Sequence, residues 1–394
     1  MKKILVLCIF LVLLVGAVHA ETMLSMELWS RWSYLMVDGA DEATKNELSL
    51  SRGHLGLEHT FSDKIKGKFL LDFFSREDVA QVSNNGAGIK LKLAYVEFSD
   101  YLWKDAKFTF GLMKTYFGTL YDWNYTTIDL SPSDMYGFIT ALDYGMGISG
   151  LLPKGFGEYH LAAYNGEGYA KTGNDIDTNL AFLGNLRLTP IKGVTLGGSY
   201  CIDTKATQYQ KNLDTVIDST MGYNFDIDDW EVLYDTTDTF EEVDYDLVIN
   251  KMAGFLRFNV IAGIDIWAQY LTRTSTTKSW CDFTSSIEES ELTVNVISFM
   301  PVINIKEYTD IDLELVFRYD MYDDDADMND EEIGSGAYDI ITAGVNYFML
   351  RDDKNNPKLW LQANYTMRDN KDKDLDDCSD IKVQLRWKFS EKIN

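Results

Sequence analysis

The chain has 394 residues, with 36 Lys and Arg against 62 Asp and Glu, for a formal net charge of −26. Nucleic-acid surfaces are basic, so that class of partner is excluded. Beyond residue 20 no run of eighteen apolar residues occurs, so no helical membrane span is expected. Residues 1–20 read as a secretory signal: Lys2 and Lys3, an apolar core at Ile4–Val15, and the small-residue cleavage site Val18-His19-Ala20. Residues 21–394 then form one domain, two units more negative than the whole. Its cysteines, Cys201, Cys281 and Cys378, have no metal-site spacing and allow at most one disulfide.

The exported part alternates apolar and polar residues in segments of strand length. Thr22–Met36 puts Leu24, Met26, Leu28, Trp32 and Tyr34 on one face and Ser25, Glu27, Arg31 and Ser33 on the other. Glu47–Thr60 sets Leu55 and Leu57 against Arg52, His54 and Glu58. Ile65–Arg76 sets Ile65, Phe69, Leu71 and Phe73 against Lys66, Lys68, Asp72 and Arg76. Lys90–Phe98 sets Leu91, Leu93 and Tyr95 against Lys90 and Lys92, and the next run aligns Phe108, Phe110 and Leu112. Thr119–Thr140 follows, too long for a hairpin turn and too aromatic for disorder. It is expected to be a third outer loop folded inward.

Further strands are predicted at Ala141–Gly150, Glu158–Asn165, Asn179–Thr189, Val194–Asp203, Leu247–Phe258 and Ile261–Thr272. Glu291–Val302, Ile311–Tyr322, Ala337–Met349, Lys358–Arg368 and Ile381–Phe389 complete about sixteen. The acidic, aromatic stretch 204–246 is expected to fold over the mouth. Long connections follow every odd strand, which places both termini with the short turns. An exported chain of this kind with no helical span crosses a membrane only as a closed β-barrel. The expected fold is all-β: a transmembrane antiparallel β-barrel.

SRGHLGLEHTFSDKIKGKF (Ser51–Phe69), KLKLAYVEF (Lys90–Phe98), FTFGLMKTYFG (Phe108–Gly118) and the long loop after them resemble the trimeric outer-membrane porins, including the phosphate-selective group. The resemblance lies in order and spacing along nearly the whole exported chain. It implies sixteen strands, an inward third loop, a homotrimer in outer-membrane lipid and lipopolysaccharide, and passage of small hydrophilic solutes or ions. One departure is that Phe389 is followed by Ser-Glu-Lys-Ile-Asn, whereas such barrels usually end on an aromatic residue.

Apolar residues face lipid, so their alternates face the lumen. Selectivity then rests on charge at the narrowest point. The candidate constriction comprises Arg31, Arg52, Lys68, Lys90 and Lys92 on the early strands and Asp122, Asp129 and Asp134 on the third loop. The basic ladder favours anions, while the overall acid surplus favours cations at the mouth. Lys114 falls on the outward phase and is expected near an edge or a subunit contact. Trp29, Trp32, Tyr34, Tyr116, Phe348, Trp360, Trp387 and Phe389 read as interfacial girdles. The acidic run Asp323–Glu332 lacks the Gly and Glu that a calcium loop needs at its sixth and twelfth positions. No cofactor or catalytic motif is expected. The alternative is a structural or adhesive barrel, plugged by 204–246, whose acidic loops bind cations or a partner.

Overall fold

A computed structural model describes residues 21–40, 42–75, 87–170, 178–224, 229–281, 286–329 and 335–393. The expected signal and Arg76 lie outside the described residues. Sixteen strands follow in order: β1 (Glu21–Val37), β2 (Lys45–Ser62), β3 (Ile65–Ser75), β4 (Ala87–Ser99), β5 (Ala106–Lys114) and β6 (Leu142–Leu151). Next come β7 (Gly157–Tyr164), β8 (Ala181–Ile191), β9 (Val194–Asn224), β10 (Asp229–Phe258) and β11 (Ile264–Cys281). The last are β12 (Ser286–Asn304), β13 (Leu313–Asp323), β14 (Tyr338–Arg351), β15 (Pro357–Asn370) and β16 (Cys378–Ile393). Each pairs antiparallel with its sequence neighbours, and β1 pairs with β16, so the barrel closes. Closure pairs the strands of the barrel wall all the way round.

The alternation runs apolar out and polar in. On β15, Leu361, Tyr365 and Met367 are exposed while Gln362, Asn364 and Thr366 are buried. On the outer wall Phe110, Leu161 and Phe182 are 57%, 60% and 58% exposed. Water would oppose that surface and lipid favours it. Glu21 lies opposite Thr60 and Thr22 opposite Ile393, so both ends of the described chain share a rim with the tight Asp63-Lys64 turn.

Three sequence expectations are corrected. The described residues of the stretch 204–246 are strand rather than a loop over the mouth. β9 and β10 pair with each other from Val194–Phe258 to Asn224–Asp229, whereas β8 reaches only Ile202 and β11 only Ile249. The remainder is a two-stranded ribbon beyond its neighbours. A ladder requires paired backbone, not apolar side chains, so the acidic composition did not forbid it.

The second correction concerns β4. Leu70 lies opposite Leu93 but Leu71 opposite Leu91, so Lys92 is an extra residue in a β-bulge. The bulge shifts the phase by one. Leu93 and Tyr95 join Lys90 and Lys92 on the lumen side instead of sharing the outer face with Leu91. A similar shift in β2 leaves Ser51 unpaired between Arg52 and Leu50.

The third concerns the girdle. Trp29 and Trp360 are buried inside the barrel, and Phe348 pairs with Trp360 on the same face. Tyr116, beyond the end of β5, stacks on the ring of the buried His160 at 3.8 Å. Trp29 has the sequence parity of Glu27 and Arg31, so its place follows from alternation itself.

Candidate functional site

The third outer loop leaves β5 at Lys114 and re-enters at Leu142. It holds a tight turn at Leu120–Asp122 and a four-residue helix, Pro132–Met135. Ser131 begins that helix: its Oγ accepts the Asp134 N–H at 3.4 Å, and Pro132 fills the first helical position, where no N–H is needed.

Buried backbone must find partners, and here the barrel wall supplies them. The N–H groups of Gly118 and Thr119 donate to Ser199 Oγ (2.9 Å) and Gln269 Oε1 (2.8 Å) on β9 and β11. Arg318 on β13 donates to the Leu130 carbonyl at 2.8 Å. The Tyr136 hydroxyl donates to Asp320 at 2.7 Å. Asn346 on β14 and Gln362 on β15 donate to the carbonyls of Thr126 (3.0 Å) and Tyr125 (2.9 Å). Lys382 on β16 closes the series on Asp129 at 2.7 Å. Phe117, Tyr136 and Phe138 pack into a cluster with Leu183, Leu271 and Val296 of the wall. The loop therefore crosses the lumen and lies along the far wall. Open space remains between it and the early strands.

That space includes a cavity of about 510 Å³. A second, of about 490 Å³, shares Lys68, Leu93 and Lys114 with it. Five cations, Arg52, Lys68, Lys92, Lys114 and Lys388, and three acids, Glu27, Glu58 and Asp134, line the first.

Four of the eight expected constriction residues meet there: Arg52, Lys68, Lys92 and Asp134. The Arg52 guanidinium lies 4.7 Å from the Trp29 ring centre and 5.0 Å from that of Tyr125, and donates to the Tyr125 hydroxyl at 2.5 Å. Lys68 pairs with Glu58 at 3.3 Å. Lys92 reaches Asp72 at 3.4 Å.

The other four sit elsewhere. Arg31 donates to Gln384 Oε1 at 3.0 and 2.8 Å. Lys90 lies over Phe74 and Tyr169 at 5.1 and 5.4 Å. Asp122 pairs with Arg187 and Asp129 with Lys382, so both acids hold the loop against the far wall.

Lys114 lines both cavities, against the expectation that it points outward. Gly111 has φ +124, and the successive residues Leu112 and Met113 are both buried, so strict alternation has ended before Lys114. Two further residues carry the site. Asp72, 4% exposed, is approached by Arg52 (3.7 Å), Lys92 (3.4 Å) and His54 (3.6 Å). It is the shared counter-charge of the basic wall, and its inward parity was readable. Tyr125, at φ 55, had no sequence signal; its backbone is set by Gln362 and its ring by Trp29, 4.6 Å away.

No protein-family model matches the chain, and no curated protein does. Solved structures do. The anion-selective porin from Comamonas acidovorans superposes with a TM-score of 0.60 at 12% identity, covering 94% of this chain and 100% of that one. The outer membrane channel DcaP of Acinetobacter baumannii gives 0.59 at 14% identity, covering 94% and 97%. The trimer form of OmpT, an outer membrane protein of Vibrio cholerae, gives 0.55 at 12% identity, covering 93% and 99%. At such identities the likeness is one of fold. The chain has the sixteen-stranded barrel fold of the outer-membrane porins.

Proposed function

We propose that this protein is an outer-membrane channel for passive diffusion of ions and small hydrophilic solutes, narrowed by its third loop. The observation that carries the reading is the placement of that loop. It is fixed to the far wall by β9, β11 and β13–β16, and a charged space is left beside β1–β4. A sixteen-stranded barrel is wide enough for an aqueous lumen. The proposal includes export by the N-terminal signal, insertion among lipid and lipopolysaccharide, and a homotrimer. It invokes no cofactor and no reaction.

Anions are the preferred ions in this reading. The whole chain is strongly acidic, yet the first cavity carries five cations to three acids. Exposed charges farther off than a Debye length, about 8 Å at physiological salt, are largely screened. The narrow part therefore outweighs the outer loops. Reversal potential across a planar bilayer in a KCl gradient tests this. The wild type is expected to favour chloride, and replacing Lys68 and Lys92, which both line the first cavity, by Gln to shift the potential toward potassium. A potential that does not move removes both lysines from the constriction.

A structural or adhesive barrel is the second reading, and the long β9–β10 ribbon favours it. It expects folded barrels that bind cations or a partner surface and give no stepwise conductance. The channel reading expects conduction with the ribbon intact.

A further inference from the structure

The first cavity has an apolar side as well as charge. Leu70 on β3 is half-buried at its wall, backed by Leu93 and Leu142, which are 4% and 6% exposed. Leu93 stands there because the Lys92 bulge turned it inward. Across the gap the third loop presents Leu120 and Trp123, both half-buried. Elsewhere inside the barrel, as at Leu183, Leu271 and Val296, inward apolar side chains pack against the third loop, whereas Leu70, Leu120 and Trp123 border open space. Water against Leu70, Leu120 and Trp123 is unfavourable in proportion to the apolar area it wets. Arg52, Lys68 and Lys92 lie around the same space.

Five cations to three acids surround this apolar slot, and that surplus of positive charge complements one kind of solute: an anion with an apolar body. We infer that the slot binds organic carboxylates that carry an aromatic or branched apolar group, and passes them in preference to small hydrophilic anions. The inference rests on the channel reading and names a substrate class for the same site. The carboxylate would meet the basic wall and the apolar body would displace water from Leu70 and Leu120. Neither contact alone would suffice. Acetate has the charge without the body, and benzamide has the body without the charge.

The test uses the full exported chain in a planar bilayer, with chloride current recorded while benzoate, acetate or benzamide is added. Benzoate is expected to reduce the current at a concentration at least fivefold below that needed for acetate, with benzamide weaker than both. Leu70→Asn and Leu120→Asn are expected to bring the benzoate-to-acetate ratio within about twofold of one, at the gain per buried methylene that apolar transfer allows. Scoring the ratio cancels any change in open-channel current. Heat-dependent gel mobility confirms that each variant is folded. Equal block by benzoate and acetate in the wild type overturns the inference without need of a variant. So does a folded variant pair that keeps the wild-type ratio. Absence of any current from folded protein would instead overturn the channel reading.

Discussion

Arg318 shows what a single residue does for this lumen. It is 1% exposed and holds Asp320, 0% exposed, through Nη2 at 2.5 Å and Nε at 3.0 Å. Through Nη1 it also fixes the loop at Leu130, and Asp320 accepts from Tyr136 of the same loop. Removing one member of a buried pair strands the other charge, at a cost of about 3–5 kcal/mol. Arg318→Met is expected to lower stability by that amount, read from thermal or urea unfolding in detergent. Arg318→Met with Asp320→Leu is expected to lose less, since no buried charge is stranded. A double variant worse than the single would show that the pair itself, not the orphaned acid, carries the effect. Residue by residue, much of the wall was legible, though the inward turn of Leu93, Tyr95 and Lys114 was not. Parity alone turned Arg52, Lys68, Lys92 and Asp72 inward. The loop was not. Asp122 and Asp129 are set by Arg187 and Lys382, 65 and 253 positions away, and nothing local announces such partners.

At the scale of elements, strand number and loop order were readable because each rests on a two-residue period and a count of polar connections. The bulges were hidden. Leu91-Lys92-Leu93 looks regular as a sequence, and only its pairing with Leu70 and Leu71 shows that Lys92 is extra. The ribbon was hidden for a different reason: its charge imitates a loop, while its backbone pairs like a strand. Turns on the tight rim are held by charge. Asp312, just before β13, accepts from Arg351 at the end of β14 at 2.6 and 2.9 Å and from Lys306 at 2.9 Å. Partial burial disfavours its ionised form, but these hydrogen bonds outweigh that and hold its carboxyl below the usual range. A depressed carboxyl contributes stability above its unfolded value of about 4 and loses it as the pH falls through the lower folded value. Asp312→Asn is therefore expected to melt below the wild type near neutral pH. The difference is expected to shrink in acid and vanish once both forms of the wild type are protonated. A difference that grows in acid would contradict the sign.

The whole molecule inverts the soluble plan. Its apolar residues form the outer wall, and its polar ones enclose a space that one loop crosses. Overall charge is a poor guide to such an object: the chain is strongly acidic, yet five cations and three acids line its first cavity. Single-channel recording, comparing the wild type with a form in which residues 119–138 are replaced by a short glycine linker, bears most directly on the claim that this loop narrows an open lumen. Discrete conductance steps are expected from the wild type and larger ones from the shortened loop. Folded barrels that give no steps, or steps that stay the same size without the loop, would contradict it.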